Sequence, residues 1–211
     1  MQVAILLYDR LVALDAIGPY DVLKLMPDAD VRLVAAIPGE IATDGPLTLF
    51  ADESLDAVPR PDIVVVPGGP GAHAADADER VLSWLRHAHE HTTFTASVCW
   101  GSQVLGAAGL LHGLPATSHW LVRHELAEHG AIAVDERVVV SGRIITCAGV
   151  SAGIDMALRL AALCAGEGVA RRIALTLDYA PEPPFAAGGS PRTAEPALVA
   201  GMRESYEQAR R

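Results

Sequence analysis

The chain has 211 residues, 51% of them hydrophobic, and a net charge of -10 at pH 7. This length and apolar content predict one well-buried domain over residues 1–211. The acidic balance, without any cluster of lysine and arginine, excludes the basic surface that DNA or RNA requires. No apolar run approaches the ~20 residues that span a bilayer, and the first eight residues resemble a strand rather than a signal peptide. We therefore expect a cytoplasmic protein with no nucleic acid or membrane partner.

Short β-branched runs alternate with helical patterns, which predicts parallel strands joined by crossover helices in an α/β fold. The predicted strands are residues 3–7, 31–37, 63–66, 93–98 and 144–147. The predicted helices are residues 19–26, 78–91, 101–110, 121–129 and 150–165. Turn signals at residues 44–45 and 136–142 predict a small antiparallel addition to the sheet.

The sequence becomes rich in proline and glycine over residues 181–192, and a last helix is predicted from about Thr193. A long segment without regular structure is usually functional or an interaction arm, although a plain linker is the alternative.

Cys99 stands at the corner between the apolar strand 93–98 and the helix that begins at Gly101. A side chain at such a turn lies above the carboxyl end of the sheet, and the free amides of the next helix point towards it. A helix N-terminus can lower a cysteine pKa from about 8.5 to roughly 3.5–7.5, and the thiolate is the reactive form. We predict that Cys99 is functional rather than a buried structural cysteine, because ligands of open α/β sheets bind at the carboxyl ends of the strands.

The other two cysteines are read differently. Cys164 lies on an apolar helix and is predicted to be in the core. Cys147 ends the strand 144–147, so it either lines the site or packs beside it. Three cysteines without a C-x-x-C pair argue against a zinc motif, a redox motif or a disulfide framework.

Three further segments are expected at the same edge of the sheet. Asp15 follows the first strand and is either a reacting carboxyl or a helix cap. Gly68 and Gly69 belong to a glycine-rich turn whose backbone amides can approach a ligand, although it is not a P-loop. His119 follows a later short strand and is either a general acid or base or a structural histidine.

His87, His89 and His91 lie on the predicted helix 78–91, and the first and last form an i,i+4 pair. No third metal ligand is evident, and the helix precedes the strand that leads to Cys99. A solvated helix face is therefore predicted, and no metal.

The residues that surround these candidates resemble a known family. Segments 15–19, 66–69, 97–102, 105–111 and 116–120 are similar to those of ThiJ/PfpI-like proteins, over essentially the full chain. The resemblance implies a class I glutamine amidotransferase-like, flavodoxin-like fold, in which a mostly parallel central sheet lies between two helical layers. Within this superfamily, segments 149–155 and 179–185 look most like the isonitrile hydratase (isocyanide hydratase) branch.

That resemblance implies hydration of isonitriles to N-substituted formamides, without a metal or organic cofactor, by a homodimer. It assigns the nucleophile to Cys99, the partner carboxylate to Asp15, and anion-stabilising backbone amides to Gly69 and Trp100. Gly68, His119 and Cys147 are further pocket candidates. The chain departs from the branch at Trp100, where the branch usually has threonine.

The chemistry also follows from the residues. The terminal carbon of an isonitrile accepts a thiolate and a proton, which gives a thioimidate on Cys99 that water opens to a formamide. A carboxyl group at Asp15 could supply the proton, since one member of a buried carboxylate–thiolate pair should stay protonated.

Two other functions remain open. One is a different cysteine-dependent enzyme, such as a hydrolase or a glyoxalase-like enzyme, that acts on an amide, a glyoxal or a peptide. The other is a non-catalytic ligand- or redox-sensing domain, like those of AraC-type regulators. The regulators carry a basic helix-turn-helix after the domain, and we expect none because this acidic chain ends at Arg211.

Overall fold

The computed structural model describes residues 1–185 and 187–209. Its internal contacts divide it into two compact units, Met1–Leu177 and a second that starts at Asp178. The single domain expected from the length stays a prediction. Within the described residues, no helix is both long and apolar enough to cross a membrane.

The first unit contains all the strands of the described chain and six α-helices. The strands are β1 Gln2–Leu6, β2 Asp30–Ala35, β3 Gly39–Ala42, β4 Thr48–Ala51, β5 Glu53–Ser54, β6 Ile63–Val66, β7 Phe94–Val98, β8 Pro115–Ala116, β9 Ile132–Ala133, β10 Val138–Ser141 and β11 Ile144–Cys147. The helices are α1 Ala13–Leu23, α2 Ala72–Ala75, α3 Glu79–His91, α4 Gly101–Ala107, α5 Ala152–Ala165 and α6 Glu167–Thr176, with 3₁₀ turns at Leu55–Ala57 and Arg123–His129.

Seven strands form the central sheet in the order β10-β11-β7-β6-β1-β2-β5. All neighbours in it are parallel except β10, which pairs antiparallel with β11. The order reverses at β1, so that β2 lies on one side of it and β6 on the other, which is the switch point of flavodoxin-like sheets. The predicted fold class is confirmed.

Successive residues of β1 pack on opposite faces of the sheet, as the period of a strand requires. Val3 and Ile5 join one core cluster with α1, α5 and α6, whereas Ala4 and Leu6 join the other with α2, α3 and α4. β1, β6 and β11 are buried on both faces, which explains their almost continuous apolar sequences.

The structure corrects the predicted start of the first helix. Pro19 was interpreted as the first helical residue, but it lies inside α1, which begins at Ala13. Pro19 is buried. Glycines allow α1 and α5 to approach closely: a Cβ on Gly18 would lie 3.2 Å from Ile154 of α5, and a Cβ on Gly153 would lie 3.5 Å from Pro19 of α1. This packing compensates for the hydrogen bond that an internal proline removes.

Two other elements differ from the prediction. The expected helix 121–129 is a 3₁₀ segment, Arg123–His129, in which only Glu125 and Leu126 are buried. So little apolar burial favours a short 3₁₀ piece over a longer α-helix. The turn expected over residues 136–142 is mostly strand β10, with the turn itself at Gly142.

The turn predicted at residues 44–45 is confirmed, since it joins the antiparallel strands β3 and β4. The second unit contains α7, Pro196–Ala209, which begins three residues later than the predicted start at Thr193. The proline- and glycine-rich segment before it has no helix or strand among its described residues. Its residue 186 lies outside the described chain, and its role as an arm or a linker stays a prediction.

Candidate active site

The carboxyl ends of β1, β6 and β7 lie side by side in the sheet and carry three of the four predicted site segments. Asp15 follows β1, the Gly68-Gly69 turn follows β6, and Cys99 follows β7. Parallel pairing brings these ends to one edge at the switch point, where ligands of such sheets bind. The convergence expected from the sequence is therefore present.

Cys99 adopts a left-handed backbone conformation, with φ of 59°. This region is sparsely populated by residues other than glycine and recurs at functional sites. The Cys99 amide donates a hydrogen bond to the carbonyl oxygen of Ala148 at 2.9 Å, and the Trp100 amide donates towards the Cys99 sulfur. The turn thus holds the thiol at the start of α4.

Asp15 is fully buried in the first turn of α1. It does not cap the helix, because the N-cap position is Val12. Instead, the amide of Gly68 donates to Oδ2 of Asp15 at 2.9 Å, and the carboxyl also forms a hydrogen bond with the Cys99 thiol. The structure therefore favours the reading of Asp15 as a site carboxyl over the helix-cap reading.

Burial raises the pKa of Asp15 from 3.8 to about 7, although the hydrogen bonds from Gly68 and Cys99 act in the opposite direction. Burial also raises the pKa of the Cys99 thiol well above its ordinary value, and the charge of Asp15 adds to this effect, while the Trp100 amide opposes it. The lowered cysteine pKa expected for a helix N-terminus is thus wrong. The two groups lie in direct contact, and a proton on one of them avoids two adjacent buried negative charges.

Glycine is required in the turn after β6 because the site is crowded. A Cβ on Gly68 would lie 2.3 Å from the amide nitrogen of Trp100 and 2.9 Å from both Oδ2 of Asp15 and the Cβ of Cys99. Gly69 has φ of 124°, a backbone conformation that residues with a side chain rarely adopt. The missing side chain at Gly68 is what lets the carboxyl, the thiol and the Trp100 amide meet.

Trp100 is half-buried, and its ring lies beside the imidazole of His73 on the short helix α2. The ring centroids are 5.3 Å apart, with an angle of 59° between the planes. The sequence analysis did not identify His73. Its only signal was its position shortly after the Gly68-Gly69 turn.

Tyr8 is a second residue that the sequence analysis missed. Its hydroxyl donates to the carbonyl oxygen of Pro67 at 2.6 Å and so holds the base of the glycine turn. Burial raises its pKa, and the nearby charges of Asp15 and Cys99 raise it further. A tyrosine directly after the first strand of a parallel sheet, at its carboxyl end, was the available signal.

The remaining sequence candidates lie around this centre. Cys147 is fully buried in the core, and burial followed by the charge of Asp15 raises its pKa. His119 is half-buried, and burial lowers its pKa, so its imidazole is neutral at pH 7. Its ring lies beside Gly149, where an added Cβ would lie 2.9 Å from Cδ2 of His119. Cys164 is only partly buried and packs at the margin of the core, which corrects the prediction of a core residue.

The histidines of α3 lie away from this centre. His87 and His91 are exposed, as predicted, and Glu90 joins them, with ligand atoms that all lie within 4.8 Å of one another. Glu90 is a third candidate ligand that the sequence analysis did not recognise. His89 is not part of a solvated face, because its Nδ1 lies 2.9 Å from Oγ1 of Thr95 in a half-buried hydrogen bond.

The chain is similar to several known proteins. Residues 1–163 match the model of the DJ-1/PfpI family. The chain is 41% identical to isonitrile hydratase of Pseudomonas putida over 97% of this chain and 89% of that protein. It is 29% identical to a deglycase of Thermococcus kodakarensis over 69% of this chain and 89% of that protein. A crystal structure of a ThiJ/PfpI family protein from Pseudomonas syringae superposes with a TM-score of 0.95 and 34% identity, over 98% of this chain and 86% of that one.

Proposed function

Because the chain belongs to the DJ-1/PfpI family, we propose that it hydrates isonitriles to N-substituted formamides through a covalent thioimidate on Cys99. The observation that carries the proposal is the buried pair of Cys99 and Asp15, which holds a proton beside a nucleophilic sulfur. The identity to an isonitrile hydratase over nearly the whole chain supports the same substrate class.

The first half of the reaction forms a carbon–sulfur bond and a carbon–hydrogen bond at the terminal carbon of the isonitrile. The thiol proton of Cys99 passes to the carboxylate of Asp15 as the sulfur attacks, and the carboxyl then gives this proton to the same carbon. The product is a neutral thioimidate, R–N=CH–S–Cys99, with Asp15 again a carboxylate. A pKa of about 7 suits Asp15 to both roles at neutral pH.

The second half adds water. The oxygen of the water bonds to the thioimidate carbon while the carboxylate of Asp15 takes a proton from that water. Asp15 then passes this proton to the substrate nitrogen. The hydroxyl proton then returns through Asp15 to the sulfur as the carbon–sulfur bond breaks, which releases R–NH–CHO and restores the thiol of Cys99. One oxygen, Oδ1, is buried and has no hydrogen-bond partner among the described residues, so it is free to carry these protons.

Backbone amides complete the proposed site. In the proposal, the amides of Gly69 and Trp100 stabilise the negative charge that develops on the sulfur and on the substrate nitrogen. The position of the Trp100 amide, which donates towards the Cys99 sulfur, supports this assignment. The ring of Trp100 and the neighbouring ring of His73 are then suited to bound the space for the substrate side group.

The proposal also covers the need for cofactors, the oligomeric state and the cellular location. Each step uses protein groups and water alone, so the enzyme is a carbon–nitrogen lyase that needs no metal or organic cofactor. We also propose that the protein forms a homodimer and acts in the cytoplasm. Exposed apolar side chains on the β3–β4 hairpin, Leu47 and Phe50, which are 49% and 59% exposed, support an association between copies.

An absorbance assay of formamide production from a simple aryl isonitrile tests the proposal. The wild type should turn the substrate over, and a rapid acid quench during turnover should capture an adduct on Cys99 whose mass increase equals the mass of the isonitrile. Cys164→Ser is the matched control, because that partly buried thiol lies on α5, away from the turn that carries Cys99. Absence of formamide with the wild type, or unchanged turnover in Cys99→Ser, would reject the proposal.

A second candidate is a cysteine-dependent reaction on glyoxals or their adducts, which the likeness to a deglycase favours. The same Cys99 and Asp15 would serve it. Parallel assays with methylglyoxal separate the two, since an enzyme of this second kind would consume methylglyoxal at a higher kcat/KM than the aryl isonitrile.

A further inference from the structure

The peptide unit between Cys99 and Trp100 is held at both of its polar atoms. Its N–H belongs to Trp100 and donates towards the Cys99 sulfur. Its carbonyl oxygen belongs to Cys99 and accepts a hydrogen bond from the hydroxyl of Ser118 at 2.7 Å. Because a peptide unit is planar, any rotation that turned the carbonyl away from Ser118 would also turn the N–H away from the sulfur.

The backbone at Cys99 needs such support, because its left-handed φ of 59° persists only where the surroundings hold it. The amide of Cys99 is held from the other side by the carbonyl of Ala148. Groups from two loops outside β7 and α4 thus clamp the nucleophile. Of these contacts, the one with Ser118 is made by a side chain and can be removed by substitution.

The backbone next to Ser118 is itself held by buried hydroxyls. The amide of the preceding residue, Thr117, donates to Oγ1 of Thr146 at 2.9 Å, and the carbonyl of Thr117 accepts from the hydroxyl of Ser102 at 2.7 Å. Ser102 in turn lies 2.9 Å from the hydroxyl of Ser97. All five side chains are at most 1% exposed, so water does not compete for these bonds.

We propose that Ser118 is a positioning residue that orients the Cys99–Trp100 peptide so that its N–H stabilises negative charge on the Cys99 sulfur. The expected effect of Ser118 on turnover rests on the proposed function, isonitrile hydration. Its expected effect on the ionisation of the Cys99 thiol is independent of that function. It gives a specific role to the segment in which the sequence analysis singled out His119. Ser118 acts through the backbone of Cys99 and does not touch the substrate.

The test measures Cys99 itself, by alkylation with iodoacetamide for a fixed time at each pH from 6 to 10 and quantification of each cysteine peptide by mass spectrometry. The pH midpoint is the pH at which half of a given cysteine peptide is alkylated. In Ser118→Ala the pH midpoint for Cys99 should rise by about one unit, the effect of one hydrogen bond of about 1.4 kcal/mol. The midpoint for Cys164, which lies on α5, should stay unchanged and serves as an internal control. Ser118→Thr keeps the hydroxyl and should restore the midpoint of the wild type.

Turnover provides the second readout. In Ser118→Ala, kcat for the aryl isonitrile should fall about tenfold while KM changes less than twofold, because the lost interaction acts on the charged sulfur rather than on the bound substrate. Thr92→Val is the matched control. It also removes a buried hydroxyl, 2.9 Å from Oγ1 of Thr95, but at the opposite end of β7, so kcat and the Cys99 midpoint should not change.

An unchanged Cys99 midpoint in a folded Ser118→Ala would overturn the proposal, as would an equal shift in Thr92→Val. If Ser118→Ala does not fold, Ser102→Ala decides, since it releases the Thr117 carbonyl next to Ser118 and should move the midpoint in the same direction. No shift there would also overturn it. If the wild type fails to hydrate isonitriles but Ser118→Ala moves the midpoint, the proposed function fails and the positioning role stands.

Discussion

Replacing Asp15 with asparagine should make the protein more stable at neutral pH and nearly inactive. The native state raises the pKa of this carboxyl from 3.8 to about 7. Between these two pH values the folded protein holds a proton that the unfolded chain has lost. Stability therefore falls as the pH rises through this window, and the cost is complete above pH 7.

The magnitude follows from the width of the window. About three pH units at about 1.4 kcal/mol each give a cost of about 4 kcal/mol at pH 8. Asparagine cannot ionise and retains an oxygen that can accept the hydrogen bond from Gly68. The variant should thus exceed the wild type in unfolding free energy by about 2 kcal/mol at pH 5 and about 4 kcal/mol at pH 8.

Urea denaturation of both proteins at pH 5, 6, 7 and 8 measures this difference, and Asp52→Asn, at an exposed position, is the control that should show none. The kcat of Asp15→Asn should fall by roughly 10²- to 10⁴-fold, because an amide cannot relay protons. A stability difference that does not grow with pH would refute the raised pKa. A near-normal kcat would refute the catalytic assignment.

Four further predictions concern the same site and the assembly. Cys99→Ala should reduce turnover to less than about a hundredth while the protein stays folded by circular dichroism, since the Cys99 sulfur forms the proposed covalent bond to the substrate; retained turnover would contradict the nucleophile. Trp100→Thr should raise the relative kcat/KM for bulky isonitriles over small ones, because the ring beside His73 is removed and the backbone amide kept; equal ratios would show that the ring does not bound the pocket. Dialysis against EDTA should leave kcat unchanged, and a loss that Zn²⁺ restores would contradict cofactor independence. Phe50→Ser should weaken the proposed homodimer in light scattering, and an unchanged dimer would place the interface elsewhere.

The sequence was sufficient for the parts of the fold that depend on local pattern. β6 and β11 have the predicted bounds, because continuous β-branched runs between turns leave few alternatives. The convergence of Asp15, Gly68 and Cys99 also followed, since parallel strands place their carboxyl ends at one edge. Strands of two residues, such as β8 and β9, carry no detectable period, and their pairing depends on contacts made elsewhere in the fold.

Side-chain partnerships could not be predicted in the same way. The segment 116–120 attracted attention through His119, whose residue type suggests acid–base chemistry. The structure instead directs the hydroxyl of the neighbouring Ser118 to the carbonyl of Cys99. Serine is common in every kind of segment, so only the three-dimensional arrangement identifies this one.

The ionisation of Cys99 shows most clearly why local pattern was not enough. A helix N-terminus alone favours a thiolate, and the Trp100 amide contributes in that direction. Burial and the charge of Asp15 outweigh it, so the pKa of the thiol rises. A free thiolate would have no proton to offer the isonitrile carbon, whereas a thiol beside a carboxyl of pKa about 7 supplies the nucleophile and the proton together. The raised pKa values of both groups are therefore consistent with the proposed reaction, which adds sulfur and hydrogen to the same carbon.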